Sequence, residues 1–442
     1  MIQKLVDKNC QVIFKHPLLY LSGLLLITIF FGFFYSKLPV DTSVESLIIE
    51  NDPDLAFYEK FKEQFGEDEF LVVGFKSPNI FTEKFLENID QLTTDLESIK
   101  GIKEVVSITN IEDIIGTETD FIVQSLVQSD FDDKKSVNNI LTRVDRNPLI
   151  RGNIVSENKQ AGLFLIRITP PAENETGFEA QLVEDIRSFF NNQSHIPKDV
   201  KFHIAGWLVT DTSMTSYMNR DMALFMPITY FLIAVLLWVF LRNIPAMVIS
   251  LLNISICLIW TMSLLYFSGG AMSPMTSILP PLIMALVVSD SIHVLQKFLQ
   301  NTNPDLQTRI RETLKDLAIP CFLTSLTTAI GFSSLALSDI PPIRHFGLSA
   351  AGGMMMEFYL SVSLIPLGLM LWSKKYLFPT HVSSAANLLN RISQLTGNKV
   401  TKHNKPILAL SAASIVLFGY GITQIQVETN LLEYFREGSD IR

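Results

Sequence analysis

Cysteine is scarce in this 442-residue chain, with three in all and none between residues 37 and 221, its longest polar stretch. That excludes a disulfide framework and a thiolate metal site there. Positive charge is also short in the same stretch, 18 Lys/Arg against 33 Asp/Glu, the wrong balance for a nucleic-acid partner. No phosphate-cradling glycine loop, nucleophile elbow or metal-spaced His/Cys cluster occurs, so nothing points to an enzyme, a cofactor or a metal. The first apolar run has no small-x-small cleavage site before Lys37, which makes it a membrane anchor rather than a removable signal peptide.

Hydrophobicity is abundant. Apolar residues make up 48% of the chain, 31 residues are Phe, and the mean hydropathy is +0.30. Strong apolar runs lie at 17–36, 222–241, 246–267, 274–296, 318–338, 343–372 and 406–423, each near the roughly 20 residues that cross a bilayer. The fold class expected is an α-helical polytopic membrane protein of about seven spans.

Charge sets the orientation. Segments 1–16, 242–245, 297–317 and 373–405 carry fourteen Lys/Arg, which makes them cytoplasmic, N-terminus included. The acidic 37–221 then lies outside, periplasmic if the membrane is a bacterial inner one. The division expected is 1–36 N-terminus and first span, 37–221 external domain, 222–372 spans two to six, 373–405 connector, 406–423 seventh span and 424–442 the start of a second external domain. In the connector Ala385, Asn387, Leu388, Leu389, Arg391, Ile392 and Leu395 are spaced for an amphipathic helix on an anionic surface.

The chain also repeats itself. Lys15-His16, Phe31-Gly32 and Val40-Asp41-Thr42 return as Lys402-His403, Phe418-Gly419 and Val427-Glu428-Thr429 at one gap-free offset of 387. Basic-His, an apolar run and a Val-acid-Thr exit strand occur in both copies. Carriers are commonly built from two like halves, so the expectation is one half plus the opening of the next, either as a fragment or as a half that pairs with another.

In the external stretch, 69–75 reads as strand, 82–99 as amphipathic helix and 105–108 as strand; 161–168, 177–190 and 200–205 repeat that order, with a polar, helical insertion at 111–150. Two strand-helix-strand units predict a ferredoxin-like α+β sandwich.

Ionisable residues inside spans mark function, because a charge there costs several kcal/mol. Two acids qualify. Asp290 lies in the fourth span within Val288-Ser289-Asp290-Ser291-Ile292-His293, with His293 three residues on and so on the same helical face. Glu357 lies in the sixth span after three methionines and can face Asp290, and with no Lys or Arg at that depth the two would share protons. Asp290 either carries protons or only packs, and His293 either joins it or marks the membrane interface. Ser289 and Ser291 either extend a hydrogen-bond chain to it or bond their own helix. Thr324, Ser325, Thr327, Thr328 and Gly331 in the fifth span, small polar residues, either pack helices closely or line a path. Pro280-Pro281 predicts a kink or broken turn ahead of Asp290.

At these residues the chain resembles the resistance-nodulation-division superfamily, and within it the MMPL-type exporters related to hopanoid and lipid transporters and, more distantly, to sterol-sensing proteins. The fourth-span element Val288-Ser289-Asp290-Ser291-Ile292-His293 is similar to that family's V-x-D-[ST]-I-H. Thr324-Ser325-Leu326-Thr327-Thr328-Ala329-Ile330-Gly331-Phe332 and Ser338-Asp339-Ile340-Pro341-Pro342-Ile343-Arg344-His345-Phe346-Gly347 resemble its fifth and sixth span signature. The resemblance implies proton-driven export of lipids or other hydrophobic or amphipathic molecules by a secondary active transporter, with an external porter domain, Asp290 as proton carrier, and membrane lipids, a hydrophobic substrate, protons and a second half or second copy as partners. Drug-efflux members carry an adjacent acid pair in the fourth span; here the first position is Ser289, and their basic partner has no counterpart in this chain. The alternatives are a protein-translocation accessory subunit and a non-transporting lipid sensor or assembly scaffold in which Asp290 only packs.

Overall fold

The computed structural model describes residues 2–49, 52–65, 70–116, 120–127, 134–169, 177–192, 200–373, 394, 396–397 and 399–425. The connector residues Ala385 to Leu395 and the second exit strand Val427-Glu428-Thr429 named above lie outside the described residues. In chain order the elements begin α1 (Ile2–Lys15), α2 (Pro17–Tyr35), α3 (Pro53–Phe65), β1 (Phe70–Lys76), α4 (Glu83–Glu97), β2 (Ile102–Val106), β3 (Glu112–Gly116), β4 (Phe121–Ser125) and α5 (Lys134–Arg146). They continue β5 (Ala161–Ile168), α6 (Phe178–Asn191), β6 (Lys201–Ala205), α7 (Trp207–Leu241), α8 (Ile244–Phe267), α9 (Leu279–Gln300), α10 (Leu306–Ser333), α11 (Pro341–Ser361) and α12 (Leu364–Ser373), followed by a helix at Asn404–Ile422.

Two compact units emerge, one drawn from Met1–Asp52 and Tyr217–Val427 and the other from Pro53–Ser216. The first contains the spans. Among the described residues seven helical segments are long and apolar enough to cross a membrane: Pro17–Tyr35, Trp207–Leu241, Ile244–Phe267, Thr276–Gln300, Leu306–Leu337, Pro341–Trp372 and Asn404–Ile422. This is a multi-pass α-helical membrane protein. The Pro341–Trp372 span is 67% buried along its apolar window and α8 56%, whereas Asn404–Ile422 is 0% buried. Around α8 pack Leu24 of α2, Leu237 of α7, Ile283, Met284 and Val287 of α9, and Leu360 of α11. Glycines let α11 approach: a Cβ on Gly353 would lie 2.5 Å from Thr261 Oγ1, and the thiol of Cys257 donates to Gly353 O at 3.7 Å.

Two helices outrun the apolar runs that announce them. α7 starts at Trp207 and α10 at Leu306, because helix hydrogen bonding continues through polar residues once started. The double proline does not kink a span. Pro280 and Pro281 occupy the opening positions of α9, where a missing N–H costs nothing, behind a 3₁₀ turn at Thr276–Ile278. The sixth apolar run is two helices, broken between Ser361 and Leu364.

The second unit is a four-stranded antiparallel sheet in the order β2-β5-β1-β6, with β1 at its centre pairing Val73 with Phe164 on one side and Ile204 on the other. Alternation along β1 and β5 buries Leu71, Val73, Phe75, Phe164 and Ile166 against Phe85, Leu86, Ile89 and Leu92 of α4 and Leu182, Ile186 and Phe190 of α6. The insertion at 111–150 is not helical throughout. Its first part is the β3–β4 hairpin, whose five-residue strands are too short for their alternation to stand out, and among its described residues only α5 is an α-helix. Gly206 joins β6 to α7 at φ +140°, where a Cβ would meet Phe70 O at 2.7 Å, so only glycine fits.

Candidate functional site

Four helices of the span unit bring polar side chains into one apolar interior. α9 supplies Asp290, α10 Ser325, α11 Glu357 and Ser361, and α8 Asn253. Each lies on its helix's buried stripe. On α10 that stripe is Ile310, Leu314, Ala318, Cys321, Ser325 and Ala329, recurring every three or four residues.

Ser325 Oγ lies 3.4 Å from Asp290 Oδ2 and 3.3 Å from Glu357 Oε2, so one hydroxyl spans both carboxyls. Ser361 Oγ donates to Glu357 Oε1 at 2.5 Å. Among the described residues no Lys or Arg pairs with either acid. A hydroxyl has one hydrogen and two acceptor positions. Ser325 can therefore donate to one carboxyl while accepting from the other only if that other carries a proton. With one proton between the two acids every group at the bridge is matched, and the two carboxyls also lie within hydrogen-bonding reach of each other.

The two acids differ in access. Glu357 is 0% exposed, while Asp290 keeps 9%, so exchange with the surroundings is easier through Asp290. Ser289 and His293 flank it on α9 and are both exposed, and His293 lies near enough to interact electrostatically with the Asp290 carboxyl. Ser291 is buried and accepts from Asn253 Nδ2 at 3.3 Å. Asn253 Oδ1 is buried with no hydrogen-bond partner among the described residues.

The fifth-span residues separate by face. Thr324 and Thr327 are exposed, Thr328 is half-buried, and each hydroxyl donates to a carbonyl of its own helix at 2.8 Å. Gly331 is exposed, with open space where a Cβ would go. The neighbour that enters the bundle is Ser325, which the sequence offered only as one of four hydroxyls in a small polar run, with no role of its own. Its signal was position: Cys321, Ser325 and Ala329 are small residues at steps of four. Ser361 and Asn253 were also missed, being ordinary polar residues in apolar runs.

The sequence pattern of the MMPL family matches residues 78–396, most of the chain and all of this site. The chain belongs to the MMPL family. It is also similar to a protein of Methanocaldococcus jannaschii described as a membrane protein, 19% identical over 392 residues that take in 86% of this chain and 96% of that one. An MMPL-family match joined to seven span helices makes this a membrane protein of the resistance-nodulation-division type.

Proposed function

We propose that this MMPL-family protein is a proton-driven secondary transporter that exports or shuttles lipids or other hydrophobic molecules across or out of a bacterial inner membrane, with Asp290 and Glu357 as its proton site. The observation that carries this reading is the pair of carboxyls meeting over Ser325 with no Lys or Arg paired to either among the described residues. Buried acids kept only for packing would be expected to find a cation or several donors. Here the donors are two serines, and one of them is shared.

The strand order β2-β5-β1-β6, with α4 and α6 among the helices in the sheet's core cluster, supports reading the second unit as a ferredoxin-like porter domain. Its excess of acid, against the basic segments between spans, supports placing it outside and the N-terminus inside. Exposed Ser289, His293, Thr324, Thr327 and Gly331, together with the exposed helix Asn404–Ile422, support a face for a second half or a second copy. Small and hydroxyl residues there favour a helix over lipid.

The test is Asp290→Asn and Glu357→Gln in the full protein, reconstituted in vesicles carrying a fluorescent phospholipid and an internal pH dye. Both variants should fold and lose gradient-driven lipid movement together with the coupled proton flux. Full activity in folded Asp290→Asn would reduce the pair to packing and leave a lipid-binding scaffold as the reading.

A further inference from the structure

The sixth apolar run breaks one residue from the carboxyl pair's serine. α11 ends at Ser361, and α12 resumes at Leu364. Pro366 in the first turn of α12 explains the position: it has no N–H for Val362 O, four residues back, and its ring crowds that carbonyl. Val362 N still reaches Phe358 O at 3.1 Å, but Ser363 N tightens onto Leu360 O at 3.1 Å, and regular bonding restarts with Leu367 N to Ser363 O at 3.2 Å. Val362 O is thus left needing a donor in an apolar setting, where an unmatched carbonyl is costly.

That donor comes from the N-terminal helix. Asn9 Nδ2 donates to Val362 O at 3.3 Å and to Ser363 Oγ at 2.9 Å. Its Oδ1 accepts from Tyr20 Oη at 2.9 Å, and Tyr20 Oη lies 3.2 Å from Tyr359 Oη. Both ends of the amide are used. α1 is held there by its stripe of Val6, Cys10 and Ile13, packed on α10 and α12. One short helix therefore braces both elements that serve Glu357: α10, which carries Ser325, and the break, which begins beside Ser361.

We propose that Asn9 is a positioning residue for the Asp290–Glu357 pair, capping the carbonyl that Pro366 leaves unmatched and so holding the broken turn in the shape that keeps Ser361 on Glu357. The functional consequence rests on the proton-site reading, but the geometry does not. Asn9→Asp is nearly isosteric, keeps an acceptor for Tyr20 and loses the donor. The purified full chain in nanodiscs, treated with dicyclohexylcarbodiimide across a pH series, reports the accessibility of Glu357 by mass spectrometry without any cargo. Asn9→Asp should raise Glu357 labelling on the order of threefold to tenfold, as expected for one lost hydrogen bond.

Pro366→Ala supplies the decisive control. It restores an N–H within the helix for Val362 O, so in that background Asn9→Asp should change labelling by less than about twofold, the signature of two groups serving one acceptor. Tyr20→Phe removes the hydroxyl that orients the amide and should raise labelling less. If Asn9→Asp does not yield a monodisperse protein, Tyr20→Phe with and without Pro366→Ala makes the same comparison. Unchanged labelling in the folded variant, or an effect of equal size with Pro366→Ala, overturns the proposal. Retained proton-driven transport in Asp290→Asn would instead overturn the proton-site reading and leave the labelling result standing.

Discussion

Each unit of the molecule buries acid, and the two solve the problem differently. In the sheet unit Asp113 is held by Arg143 Nε at 2.7 Å and Asn147 Nδ2 at 2.9 Å, and Arg143 also donates to Leu126 O and Ser125 O. Burial pushes the Asp113 carboxyl up, but these hydrogen bonds and the Arg143 charge outweigh it and hold the group below its ordinary value. In the span unit, among the described residues, Asp290 and Glu357 have no Lys or Arg partner, and they share a serine. An acid given its own base is fixed in one charge state and tethers the β3–β4 hairpin to α5. Two acids without a Lys or Arg are matched when a proton is shared, which fits the proposed proton-driven cycle better than a structural tether.

The largest effects should separate the two sites by what is lost. Asp290→Asn and Glu357→Gln should cut coupled transport by about 100-fold or more, on the scale of removing a proton-transfer group, with little change in thermal stability. Arg143→Ala should do the reverse: the sheet unit should lose roughly 3 kcal/mol, because a buried carboxylate is left without its partner, while transport per folded molecule is kept. Denaturation of the purified protein followed by peptide-resolved hydrogen exchange reads the second effect. If Arg143→Ala abolished transport in fully folded protein, the division between tether and proton site would fail.

Much of this contrast was legible in the sequence, for a physical reason. Carboxyls in apolar runs are conspicuous because few other arrangements tolerate them, so Asp290 and Glu357 stood out by depth alone. Hydropathy likewise located the seven spans, since a bilayer's thickness imposes a length. What it could not supply was direction around a helix. Thr324 and Thr327 face out while Ser325 faces in, and composition does not distinguish them. The partner of Asp113 was hidden for another reason: Arg143 lies thirty residues on, across a hairpin whose short strands gave no pattern. The break at Val362–Ser363 was missed because Pro366 marks a disruption in the turn behind it, and the residue that repairs it, Asn9, is 353 positions away from Val362.

A smaller effect tests how closely the bundle must fit to hold the pair. Gly353 lies one turn before Glu357 on α11, and a Cβ there would come within 2.5 Å of Thr261 Oγ1 and 2.8 Å of Thr261 Cγ2 on α8. Gly353→Ala should therefore push the two helices apart at a cost of roughly 1–3 kcal/mol. Because that shift moves Glu357 away from its serines, transport should fall further than stability alone accounts for. A Gly353→Ala, Thr261→Ala double variant, which removes the obstructing atoms, should recover most of the loss.

The smallest expected effect is the pH dependence of the tether, and its sign follows from the direction of the shift. A carboxyl held below its ordinary 3.8 in the folded protein stabilises that protein fully above 3.8, where the unfolded chain's carboxyl is also ionised, and ceases to do so as pH falls through the lower folded value. The stability gap between wild type and Arg143→Ala should thus be constant from neutral pH down toward 4 and close below 3.8. Hydrogen exchange of the peptides covering β3, β4 and α5 at stepped acid pH measures it. A gap that stays open at the lowest pH would mean that Arg143 acts through its bonds to the Ser125 and Leu126 carbonyls, which do not titrate, and the tether would then depend on hydrogen-bond geometry rather than on a charge that the span unit lacks.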